Sequence, residues 1–444
     1  MHSSRGKARP PLRCGRARWR PTRPTLAIHG GPPVRPAGRP WPCWPRYTDE
    51  ARREVDAALA SGRWAISGPW TGEPCRARRF AEQFAAFHGV EHCIATASGS
   101  AALLVALEAL DVGVGDEVIV PGLTWVASAS AVIRVNAVPV LVDIDPDTLC
   151  LSVEAARRAL SPRTRAVCVV HLYSSMADMD AYRALAAEAS VPLVEDCAQA
   201  PGAAWRDARA GTLGTVGVFS MQQTKVLTAG EGGAVITASP EVARRLEQVH
   251  ADGRMFRRPP PPVGALELAE VGEVMGSNQA LSEVQAALLL EGLTRLESEN
   301  QVREGNARRL DAALAELPGV TPVRCLPPQT RRSYYHYALR IDVRRFGWTD
   351  VGPLADMLSA ELAFPAERVY RPLNDHPLYR PGTRRTTALS ESYRAAIDPA
   401  RFHLPECERA HAEVVSFHHR LLLGDDRDMD DVIRAFHKVW EHLA

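Results

Sequence analysis

Lysine is almost absent from this chain. Of the 53 basic residues among 444, only Lys7, Lys225 and Lys438 are lysine. Arginine serves solubility and surface charge, but its guanidinium stays protonated in proteins and cannot act as a transferable amine. Amine chemistry therefore falls on three positions, of which Lys225 alone lies mid-chain. Acid is absent from residues 1–48, which carry eleven Arg or Lys and no Asp or Glu. Without that stretch the chain has 42 basic and 52 acidic residues. Such an acidic body argues against nucleic acid as its partner. No apolar run approaches the roughly 18 residues needed to cross a bilayer, so no membrane association is expected. Nine cysteines lie scattered without metal-ligand spacing, and their odd number argues against a complete disulfide framework. No metal is expected, and the expected setting is a reducing cytoplasm.

The basic N-terminal stretch has no apolar core segment, so it does not read as a secretory signal. Its composition fits an organellar transit peptide or a start codon assigned too early, and the second is our expectation. Residues 1–40 are expected to form a disordered extension. Residues 41–295 then read as a large domain and 296–444 as a smaller α+β domain.

Short apolar runs recur at Cys93–Ala97, Glu117–Pro121, Val138–Ile144, Ala166–Leu172, Pro192–Cys197, Val216–Ser220 and Gly233–Thr237. Helical stretches such as Ser100–Leu110 and Val153–Leu160 alternate with them. This is the pattern of an α/β fold whose seven-stranded sheet is mostly parallel and buried on both faces. Gly253–Gly276, with its Pro259–Pro262 run, reads as an exposed loop. Ser282–Leu317 reads as a long helix leading into the smaller domain, with Gly305 a candidate break.

Four elements carry the chemistry, each placed after a predicted strand. Thr96-Ala-Ser-Gly-Ser100 puts small residues where a helix opens, so Ser98, Gly99 and Ser100 can form a phosphate cup. Trp125 follows a strand and can stack on a flat ring, although taken by itself it reads first as a packing residue. Asp196 ends a buried strand, where a carboxylate is costly unless paired. A pyridinium nitrogen is such a partner, and Gln199 is placed to meet the phenolic oxygen of the same ring. Lys225 lies between an apolar strand and a Gly-rich turn, with Ser220 five residues before it. Ligands of open α/β sheets bind at the carboxyl ends of strands. Cup, aromatic, acid and amine in that order point to pyridoxal 5′-phosphate, with Lys225 as its Schiff-base lysine.

At these residues the chain resembles the DegT/DnrJ/EryC1/StrS aminotransferases, from about residue 40 to the C-terminus. The resemblance rests on Ser98-Gly-Ser, Glu195-Asp-Cys-Ala-Gln, Phe219-Ser-Met-Gln-Gln-Thr-Lys, Gly230-Glu-Gly-Gly and Gly276-Ser-Asn-Gln. It implies a fold-type-I transferase and a homodimer in which Asn278 reaches the neighbour's cofactor phosphate. Gln279-Ala280 stand where the family usually has Tyr-Arg or Tyr-Cys. Family members that dehydrate sugars carry histidine at the position of Lys225, so that chemistry is not expected. Arg63–Gly72, Tyr334-Tyr-His-Tyr337 and His418-His-Arg-Leu-Leu-Leu423 resemble the aminocyclitol branch. That implies amino transfer from L-glutamine to a keto-cyclitol, 2-deoxy-scyllo-inosose, in aminoglycoside (2-deoxystreptamine) biosynthesis. Alternatives within the family are scyllo-inosose or a nucleotide keto-sugar as acceptor, or 3-amino-5-hydroxybenzoate synthesis. Outside enzymology the alternatives are a cofactor-binding regulator or a degenerate scaffold. The branch commonly has glycine where this chain has Ser174, which is strained there if its φ is positive.

Overall fold

The computed structural model describes residues 23–383 and 390–443. Seven strands form its central sheet: β1 (His92–Thr96), β2 (Glu117–Pro121), β3 (Val138–Val142), β4 (Thr164–Val170), β5 (Leu193–Asp196), β6 (Val216–Ser220) and β7 (Gly233–Thr237). Their order is β1-β7-β6-β5-β4-β2-β3. The pairs from β6 across to β3 are parallel, and β7 runs antiparallel to both neighbours. Residues such as Val118, Ile119, Val167 and Val194 are fully buried, as β-branched side chains covered on both faces of a sheet must be. The predicted runs fall on these seven strands, and the architecture is that of the fold-type-I transferases.

The C-terminal part carries a second sheet of β8 (Val320–Pro322), β9 (His336–Ile341), β10 (Ala366–Arg368) and β11 (Val414–His418), in the order β8-β9-β11-β10 and antiparallel throughout. A helix at Glu283–Leu314 joins the two regions. Ser282 and Gln285 close a capping box at its start. Ala286, Leu289 and Leu290 pack in the core around the large sheet, while Ala307, Leu310 and Leu314 pack in the core around the small one. Gly305 does not break this helix. A glycine inside a helix costs only about 1 kcal/mol, and packing at both ends outweighs it.

Two expectations fail. The stretch 253–276 is not a bare loop, because Arg254–Phe256 pairs with Leu268–Glu270 as a hairpin. Nor is the chain disordered up to residue 40. Leu26 and Arg35 are buried. Glu361 accepts hydrogen bonds from the Ala27 and Val34 amides, and Arg35 donates to Asp428 and Asp431. Composition suggested a solvated arm because the acids that receive it lie 327 to 396 residues away in sequence. The expectation for residues 1–22 lies outside the described residues.

Candidate active site

The sheet's carboxyl ends open into a cleft of about 760 Å³ whose other wall comes from the small sheet. Ser98, Gly99, Ser100, Trp125, Asp196, Gln199, Ser220 and Lys225 all line it. β1 ends at Thr96, and the helix Gly99–Ala109 starts directly after Ser98. Ser98 caps that helix: its Oγ accepts from Ala101 N at 3.0 Å and its carbonyl from Ala102 N. The Gly99 and Ser100 amides precede these and belong to the open first turn, where N–H groups have no partner within the helix. Glycine is needed at 99, since a Cβ there would lie 2.6 Å from the Ser220 Cβ. The close approach brings the Ser220 hydroxyl to the helix end, so the cup combines free amides, hydroxyls and the positive end of the helix dipole.

Asp196 ends β5 with only 4% of its surface exposed. Its Oδ2 accepts from Ser128 Oγ at 2.9 Å and its Oδ1 from Ala198 N at 3.1 Å. Burial pushes its pKa up, while these two donors and the charge of Lys225 pull it back. The acid before it is braced differently. Glu195 accepts from His171 Nε2 and from the Gly211, Leu213 and Gly214 amides. His171 Nδ1 accepts from Ala177 N. Glu195, His171 and Cys197 lie close enough to suggest a metal site. However, the carboxylate and both ring nitrogens are already engaged, so the cluster instead fixes the strand end that presents Asp196.

Lys225 lies in the loop between β6 and β7. Its Nζ lies 3.9 Å from the centroid of the Tyr335 ring. Burial lowers its pKa to about 8 against the opposing charge of Asp196. The preceding residue is held from two sides, with His418 Nε2 and His419 Nε2 each donating to Thr224 O, at 2.9 and 3.0 Å. His418 Nδ1 accepts from Arg420 N and His419 Nδ1 from Arg303 Nε, which fixes both tautomers. Burial depresses both imidazoles, His418 to about 4, so both are neutral near pH 7.

These donors suit pyridoxal 5′-phosphate. An anion cup, a buried carboxylate with room for one more donor, and a desolvated amine share one cleft. The sequence pattern of the DegT/DnrJ/EryC1/StrS aminotransferase family matches residues 45–436. The chain belongs to this family. An L-glutamine:2-deoxy-scyllo-inosose aminotransferase of Streptoalloteichus tenebrarius is 52% identical over 94% of this chain and 98% of its own length. The L-glutamine:scyllo-inosose aminotransferase of Streptomyces griseus is 48% identical over 94% and 98%. Among solved structures, 3-amino-5-hydroxybenzoic acid synthase superposes with a TM-score of 0.74 at 32% identity, over 90% of this chain and 99% of that one. The chain is thus a pyridoxal-phosphate-dependent aminotransferase.

In this aminotransferase two predicted residues stand apart. Asn278 is exposed and does not line the chain's own cleft. Trp125 sits in the cleft but is 46% exposed, with its ring 6.1 Å from that of Tyr370. Gln199 is turned by two contacts, accepting from Tyr173 N and donating to Tyr370 Oη. Ser174 does adopt a positive φ of 70°. Arg332 offsets that strain by donating to its hydroxyl at 2.7 Å. Sequence reasoning missed Ser128, Tyr335 and Tyr370 as cleft residues. Tyr335 and His418 were visible only as parts of motifs, with nothing local to say that they face Lys225.

Proposed function

We propose that this aminotransferase moves the amino group of L-glutamine to a keto-cyclitol, 2-deoxy-scyllo-inosose, in two half-reactions sharing one cleft. The observation that carries the chemistry is the buried Lys225–Asp196 pair beside the Ser98–Ser100 cup. The substrates are supported by the 52% relative's printed activity. The cofactor, when bound, supplies a carbonyl that takes up the amino group and a ring that spreads negative charge. Ser98, Gly99, Ser100 and Ser220 hold the phosphate. Asp196 keeps the ring nitrogen protonated, Gln199 meets the phenolic oxygen, and Trp125 covers the ring face. Lys225, once its amine is free, takes the proton from the donor's Cα and returns it at C4′. A pKa near 8 leaves it a neutral fraction at physiological pH, as a general base needs.

The exposed Asn278 supports a homodimer in which it reaches the partner's phosphate. Apolar side chains nearby in sequence, Met275, Leu266 and Val263, are also exposed, and a second copy would cover them. A cytoplasmic setting is supported by unpaired cysteines. Among the described residues no helix is long and apolar enough to cross a membrane.

The 48% relative keeps scyllo-inosose as the second reading. The deciding experiment offers purified enzyme L-glutamine with 2-deoxy-scyllo-inosose, scyllo-inosose or a nucleotide keto-sugar, and compares kcat/KM. The highest value is expected for 2-deoxy-scyllo-inosose. A higher value for another acceptor overturns the substrate assignment and leaves the aminotransferase chemistry intact.

A further inference from the structure

The small sheet gives the cleft a charge that the cofactor-facing groups do not use. In that sheet His336 lies opposite His418, and Ala366 opposite Phe417. This register brings Tyr335, Glu367 and Arg420 to the same cleft as Lys225. Among the described residues the Arg420 guanidinium makes no ion pair and no hydrogen bond. It lies 4.8 Å from the ring centroid of Phe364, which is only 2% exposed and so forms a fixed platform. The Arg420 backbone is fixed as well. Its amide donates to His418 Nδ1, and His418 donates to the carbonyl just before Lys225.

Other arginines withdrawn from solvent behave differently. Arg35, Arg63 and Arg303 each face a carboxylate, as a desolvated cation requires. Arg420 is half-buried on an aromatic platform, and although Glu231 and Glu367 line the same cleft, neither forms an ion pair with it. Three candidates could complete it. The cofactor phosphate has its own donors in the helix end and Ser220. The keto-cyclitol is neutral. The donor amino acid brings an α-carboxylate, for which the cleft otherwise offers no cation apart from Lys225, and Lys225 is committed to the chemistry. Guanidinium matches a carboxylate with two parallel N–H donors.

We infer that Arg420 binds the α-carboxylate of L-glutamine and of the keto acid it becomes. This rests on the proposed function and assigns one residue to one half-reaction, because the keto-cyclitol carries no carboxylate.

The test uses the holoenzyme with Arg420→Gln and Arg420→Lys. α-Methyl-L-glutamine has no Cα hydrogen and cannot turn over, so its dissociation constant reads binding alone. Losing a hydrogen-bonded charge partner weakens binding roughly ten- to a hundredfold, and that rise is expected for Arg420→Gln, with partial recovery in Arg420→Lys. The preference for L-glutamine over L-glutaminamide, whose α-carboxylate is replaced by an amide, should collapse in Arg420→Gln. Amination of 2-deoxy-scyllo-inosose by the pyridoxamine form, measured in a single turnover, should keep its rate. An unchanged dissociation constant and preference overturn the inference. So does an equal fall in both half-reactions, which marks a structural role. If wild-type enzyme takes no amino group from L-glutamine, the donor assignment fails instead. The comparison is then made with the α-amino acid it does accept, since every such donor carries the carboxylate.

Discussion

Lys225 holds its Nζ over the ring of Tyr335, and the hydroxyl of that ring is 2.8 Å from Thr224 Oγ1. The amine is therefore shielded by a side chain that the neighbouring residue helps to fix. Burial lowers the lysine pKa to about 8, so the amine is neutral above that pH and increasingly protonated below it. Cofactor capture by the apo chain needs the neutral amine. Its rate should rise with a midpoint near pH 8, read by stopped-flow absorbance. Tyr335→Ala admits water and should move the midpoint upward, whereas Tyr335→Phe keeps the ring and should not. A wild-type midpoint at the ordinary lysine value would contradict this desolvation account.

Asp196 and Ser128 form a graded pair. Asp196→Asn should fold normally and lose on the order of a hundredfold or more in kcat, the scale seen when one electrostatic partner of a reacting group is removed. Ser128→Ala removes the hydrogen bond to Oδ2 and the 3.2 Å contact with Thr124 Oγ1; the first is a loss of about 1.5–3 kcal/mol in stabilising the carboxylate. Its activity should fall between wild type and Asp196→Asn. If Ser128→Ala is the more damaged of the two, the hydroxyl does more than support the acid.

Arg35 joins the N-terminal segment to the final helix. It is 1% exposed and pairs with Asp428 and Asp431. Breaking a buried pair by removing one partner costs about 3–5 kcal/mol. Arg39 also faces both acids and should soften that loss. Arg35→Ala should therefore lower stability by about 3 kcal/mol in urea unfolding, with the cleft residues untouched. A change below about 1 kcal/mol would mean that the segment docks without supporting the fold.

The sheet and the cleft residues at its strand ends were legible because each is a local signal. A strand buried on both faces must read as an unbroken apolar run; Asp196 closes such a run and Lys225 follows one, while Ser98 follows the short apolar run of the edge strand β1. Lysine scarcity singled out Lys225. The opposite wall was not legible. His418 and His419 meet Thr224 across about 190 residues, and Arg420 shows that it is unpaired only once its neighbours are known. The same blindness to distant partners made residues 23–40 look solvated, since proline and arginine say nothing of Asp428 and Glu361. Gly305 misled in the other direction, as a local breaker overruled by two cores.

Asn278 gives a test of the proposed sharing of the site between subunits. Chains with Asn278→Ala and chains with Lys225→Ala should each be impaired alone. In a mixed dimer one site carries both lesions and the other carries none. Activity should return on mixing, provided that subunit exchange is shown by native mass spectrometry. Exchange without recovery would place Asn278 outside the partner's site.

The most direct measurement follows the nitrogen atom itself. Enzyme, L-glutamine labelled with ¹⁵N at the α-amino group, and 2-deoxy-scyllo-inosose are incubated together, and the cyclitol is weighed by mass spectrometry. The wild type should yield an aminocyclitol carrying the label, and Lys225→Ala should yield none. An unlabelled or unchanged cyclitol from the wild type, or labelled product from Lys225→Ala, would contradict amino transfer through Lys225.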